Sequence, residues 1–77
     1  MLEFEVVQHG WGVCAKAKGR DLFVTGAKAA KGYMGTSYLD DVVLFEVVRD
    51  GRCLAQRVVH EKDAPGTMIE LMKRASQ

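Results

Sequence analysis

The sequence predicts an α+β domain: two antiparallel β-hairpins forming one sheet, a helix between them, and a C-terminal amphipathic helix. Residues 4–10 (FEVVQHG) and 45–51 (FEVVRDG) carry the same strand-like letters and the same closing glycine at an offset of 41. A second apolar segment follows each copy, so each reads as the first arm of a hairpin. Near the end of the chain, Met68, Leu71, Met72 and Ala75 recur at helical spacing.

In the first hairpin, Leu2, Phe4 and Val6 alternate with Glu3, Glu5 and Val7. This is the period of a strand with one face buried. His9-Gly10 suits a two-residue turn, because glycine adopts positive φ without steric cost. That turn predicts the apolar pairs Val6–Val13, Phe4–Ala15 and Leu2–Ala17, with Glu3 opposite Lys16 on the other face.

In the middle of the chain two signals compete. Leu22 to Thr25 has strand composition, whereas residues 26–31 are rich in alanine and lysine, with Thr25 as a cap and Gly32 as a stop. A short third strand followed by a helix fits these letters, and so does a single helix from Asp21 to Tyr33. The composition favours a helix over at least residues 26–33. The chain would then run hairpin, helix, hairpin, helix, and the offset of 41 would equal one ββα unit of a pseudo-repeat. Convergence of two strands facing the same helix layer explains the echo better than inherited duplication.

The second hairpin turns at Asp50-Gly51, a strong hairpin signal. A two-residue turn predicts Val47–Leu54 and Val43–Val58, but it also sets Gln56 opposite Phe45, a polar misfit in an apolar layer. A three-residue loop closing at Gly51 is the alternative. Leu44, Val48 and Cys53 make the other face partly apolar as well, so this hairpin is expected to be the more central and more buried of the two. HEKDAPGT then ends the strand. Thr67 and Glu70 fit a capping box, while Pro65 offers a start one turn earlier. Lys73 and Arg74 suit the negative helix end. The helix should pack on the face of Phe4, Val6, Phe45 and Val47.

The totals bound the function classes. The 77 residues make one domain over 1–77, and 48% hydrophobic with 27% charged residues is the composition of an ordinary globular domain. The longest apolar run, Val42 to Phe45, is far short of the ~18 residues a membrane-spanning helix needs. The start lacks a basic segment followed by an apolar one, so no secretory leader is expected and a cytoplasmic location is the default. Cys14 and Cys53 lack zinc or redox spacing and read as free thiols.

No catalytic, metal or cofactor signature emerges. His9 falls in a predicted turn and His60 at a strand end, neither with a ligand or base partner at useful spacing. Cys14 is placed opposite Glu5, whose carboxylate would raise its pKa, and Cys53 opposite Val48. Asp40 and Asp41 point to opposite sides of an extended chain. GAKAAKG lacks the Gly-Lys-Ser/Thr of a phosphate loop.

The expected function is therefore a small non-enzymatic protein-binding module of adaptor or inhibitor type, a size familiar among accessory proteins of phages and mobile elements. Trp11, Tyr33 and Tyr38 are its candidate anchors, with the helix methionines as an adaptable surface. The alternative is nucleic-acid binding through Lys16, Lys18, Arg20, Lys28 and Lys31, a basic segment interrupted only by Asp21. Against it stand a net charge of +1 and a pI near 7.8. A strand left at a sheet edge would also offer a route to a homodimer.

Overall fold

The computed structural model describes residues 2–9, 12–29 and 42–77. Strands β1 (Phe4–His9), β2 (Gly12–Ala17), β3 (Leu22–Ala29), β4 (Val42–Arg49) and β5 (Arg52–His60) lie side by side in chain order, all antiparallel, in one five-stranded sheet. A 3-10 turn (Glu61–Asp63) leads into helix α1 (Ala64–Ala75), which crosses back over one face, mainly over β3.

The α+β class is as expected, but the intervening helix is not. Residues 22–29 are all strand, and residues 30–33 lie outside the described residues. Among the described residues α1 is the single α-helix, so the chain does not repeat a ββα unit. The physical reason is pairing on both sides. β3 joins the two hairpins, bonding to β2 on one edge and to β4 on the other. Helix propensity differs by less than ~1 kcal/mol per residue among ordinary residues, and a ladder to β4 along all of β3 together with one to β2 over Phe23–Ala27 overrides it. The alternation also suits a strand: Leu22, Val24 and Gly26 are buried on the helix side, while Phe23, Thr25 and Ala27 are half-buried on the other.

Both hairpin registers differ from expectation. In the first, Phe4 pairs with Ala17, Val6 with Ala15 and His9 with Gly12, a shift of two residues that moves the turn off His9-Gly10. A two-residue shift preserves strand parity, so the apolar face is unchanged. The partner of Glu3 does change: Lys18 bonds to it at 3.0 Å, and Lys16 faces Glu5. Cys14 faces Val7 and not Glu5.

In the second hairpin the Asp50-Gly51 turn forms as expected, with φ of 51° and 77°. These two positive values are the signature of the tight turn whose twist matches a hairpin. Arg49 faces Arg52 and Val48 faces Cys53, but a bulge then leaves Leu54 without a partner. Beyond it Val47 meets Ala55, Phe45 meets Arg57 and Val43 meets Val59. The bulge removes the misfit by turning Gln56 to the outer face, where its amide donates to the Glu46 carboxylate at 3.3 Å. β4 is buried, but β5 forms an edge of the sheet and is largely exposed, so the second hairpin is not uniformly the more central one.

The core lies between the sheet and α1. Ala15, Ala17, Leu22, Val24, Val43, Phe45 and Val47 meet Met68, Leu71 and Ala75. Phe4 packs at its margin, whereas Val6 is 54% exposed and outside the helix footprint, contrary to expectation. The helix starts at Ala64 with Pro65 in its first turn, and no capping box forms. The Thr67 hydroxyl donates to the Asp63 carbonyl at 2.9 Å, and Glu70 turns to Arg57 and Arg74. At the far end the Leu2 amide donates to Ser76 Oγ at 3.0 Å and Arg49 donates to the Ala75 carbonyl at 3.3 Å, tying the helix end to β1 and β4.

Candidate functional site

Because α1 sits over β3, the helix side of β1 and β2 is only partly covered. A groove of about 640 Å³ results, with Val6, Val13 and Phe45 as its sheet floor and Met68, Ile69 and Met72 as its helix wall. Lys28 and Glu61 stand at one end of it, joined by an ion pair of 3.3 Å that links β3 to the start of the helix layer. Val6 and Ile69 are 54% and 53% exposed, and they reach the groove from opposite layers. Sequence periodicity placed Val6 in the core and passed over Ile69, which lies outside the Met68–Leu71–Ala75 stripe. The available signal was Ile69 itself, an apolar residue on the polar side of an amphipathic helix.

The expected anchors Trp11, Tyr33 and Tyr38 lie outside the described residues, as does Lys31. The four described cations do not share a surface. Lys16 projects from the outer sheet face, its ammonium 5.8 Å from the Phe23 ring centroid. Lys18 is bound to Glu3, and Lys28, on the helix side, is bound to Glu61. Arg20 lies in a polar cleft at the opposite end, with Asp21, Arg49 and Asp50 around it.

The outer sheet face carries a half-buried apolar patch of Phe23, Leu44, Val48 and Val58, and no described element covers it. Next to that patch, Cys53 is exposed and its thiol donates to Glu46 Oε2 at 3.5 Å. Desolvation, then the hydrogen bond to Glu46 and the charge of its carboxylate, push the thiol pKa up, and a backbone hydrogen bond at Ala55 opposes them only in part. A thiol held in its protonated form is a poor nucleophile at neutral pH. Among the described residues no cluster of three or more His, Cys, Asp or Glu side chains is arranged to hold a metal ion. No described helix is long and apolar enough to cross a membrane.

The fold and groove define a class by shape: an antiparallel five-stranded meander with one covering helix and an apolar groove beside its first strand. No protein-family model, curated protein or solved structure matches the chain.

Proposed function

We propose that this chain is a small non-enzymatic protein-binding module, of adaptor or inhibitor type, that takes an apolar segment of a partner protein into the groove between α1 and β1–β2. One observation carries the reading. Val6 and Ile69, each more than half exposed, face a common groove from sheet and helix, next to the buried Phe45 and Met68. Burying such a pair of aliphatic side chains is worth roughly 1.5–3 kcal/mol each when complete, enough to anchor a partner. The methionines in the wall add an adaptable surface. The raised Cys53 thiol fits a binding role better than covalent catalysis. Among the described residues, Lys18 and Lys28 are ion-paired and Lys16 and Lys28 lie on opposite sheet faces, which favours the protein-binding reading over the nucleic-acid alternative.

The test is capture from the native host with the tagged chain, at two salt concentrations and with nuclease, alongside Ile69→Lys. A protein retained at high salt, indifferent to nuclease and lost with Ile69→Lys is the expected result. Capture that collapses with salt or nuclease favours nucleic acid, and a partner retained by Ile69→Lys removes the groove from the interface.

A further inference from the structure

We propose that β1 is a self-association edge, and that two copies of this chain join their sheets through antiparallel β1–β1 pairing centred on Val6. The inference begins with the backbone. The Lys18 amide donates to the Glu3 carbonyl at 2.9 Å, and β1 continues in the same register with Glu5 opposite Lys16 and Val7 opposite Cys14. In an antiparallel ladder the hydrogen-bonding residues alternate. Glu3, Glu5 and Val7 therefore direct their N–H and C=O groups at β2, and Phe4, Val6 and Gln8 direct theirs away from the sheet. Among the described residues those three have no backbone partner and form a template along a terminal strand.

The two sheet edges are not equivalent. β5 is interrupted by the bulge at Leu54 and carries Arg52 and Arg57, devices that discourage a further strand. β1 pairs with β2 without irregularity, and its centre is Val6-Val7, exposed by 54% and 55% on opposite faces. Its charges, Glu3 and Glu5, lie at one end of the strand. They also select the register. Pairing centred on Glu5 would set two carboxylates directly opposite each other, which is repulsive. Pairing centred on Val6 sets Val6 against Val6 and Phe4 against Gln8, so every free group of the template finds a partner. It places each Glu5 opposite a Val7 and no carboxylate opposite another. An isologous, closed pair results, with both helices on one face of a continuous sheet. Each groove then gains the Val6 of the second copy at its open side.

The binding reading rests on the groove, and this inference rests on the strand edge. The two are tested apart, because solution mass reports self-association without any foreign partner. Sedimentation equilibrium of the purified chain should show two copies at high concentration and dissociation on dilution. Val6→Pro removes only an outward N–H, which an edge strand tolerates, and should weaken association at least tenfold with an unchanged circular dichroism spectrum. Val7→Lys, set opposite Glu5 of the second copy, should tighten association roughly threefold or more. If Val6→Pro does not fold, Val6→Lys places two ammonium groups face to face and should dissociate the pair. A wild-type chain that stays single at millimolar concentration overturns the proposal, as does association unaffected by substitution at Val6. Weakening by Val7→Lys overturns the Val6-centred register.

Discussion

The ring of Phe45 lies directly over Gly26: a Cβ built on that glycine would come within 2.6 Å of Cε1 and 3.0 Å of Cδ1. The two residues are cross-strand partners on β3 and β4, and Phe45 is only 1% exposed. A glycine inside a strand weakens it unless something packs on its bare backbone, and here the aromatic ring does so. Gly26→Ala should therefore destabilise by about 1–3 kcal/mol through overpacking. Urea unfolding followed by circular dichroism measures the loss. Stability unchanged by this substitution would mean that the ring does not rest on residue 26.

Leu54 is an insertion in an otherwise regular ladder, because Val48 pairs with Cys53 and Val47 with Ala55. Deleting Leu54 joins those pairs without changing the face of any other residue. The shortened chain should fold with stability within about 1 kcal/mol of the parent, since the lost side chain is 55% exposed. Deleting Gln56 would also close the bulge, but by turning Leu54 towards Val47 and Ala55 towards Glu46 and by removing the amide bonded to Glu46, so it should destabilise more than deleting Leu54. Thermal scans of the two deletions make the comparison.

The thiol of Cys53 should react slowly with iodoacetamide at neutral pH, since its proton is held by desolvation and by Glu46. Glu46→Gln should speed alkylation, though by less than about tenfold, the factor a full pKa unit would give. Peptide mass mapping separates Cys53 from Cys14. The sign for stability follows from the upward shift. The folded state holds this proton more tightly than the unfolded one, so the contribution is present below the unfolded pKa and lost as pH rises through the folded pKa.

Glu70 holds Arg57 of β5 at 3.1 Å and Arg74 of its own helix at 3.2 Å. Arg57 faces Phe45 across the ladder on the helix side, so this contact leads its charge out of an apolar layer. All three side chains are at least one-third exposed. Glu70→Gln should consequently cost only about 0.2–1 kcal/mol, and the difference from the parent should shrink in 1 M salt. Guanidinium would mask the effect, so urea titrations with and without sodium chloride are the appropriate measurement.

Much of this arrangement was legible one face at a time. Side-chain alternation has a period of two, so Phe4, Phe45 and Val47 could be assigned to the helix side without the correct register. The shift of two residues in the first hairpin left that assignment intact. Asp50-Gly51 was legible because its turn demands positive φ from both residues, a local requirement. The stripe of Met68, Leu71 and Ala75 was legible for the same reason of periodicity. The candidate groove was not, because exposure depends on where α1 comes to rest. Val6 obeys the same alternation as Phe4 and differs only in lying beyond the helix footprint.

From its letters alone, then, the chain determined the parity of β1, β2 and β4, the Asp50-Gly51 turn and the apolar face of its last helix, since each depends on neighbours a few residues away. Tertiary structure alone decided the rest. The segment GAKA became strand because β2 and β4 both needed a partner between them, and its glycine found the ring of Phe45, nineteen positions further along the chain. Leu54 was expelled as a bulge because Glu46, across the sheet, could accept the amide of Gln56 while Arg57 reached Glu70 on the helix. These outcomes follow from satisfying backbone and side-chain groups between distant segments, and local propensity carries no record of them.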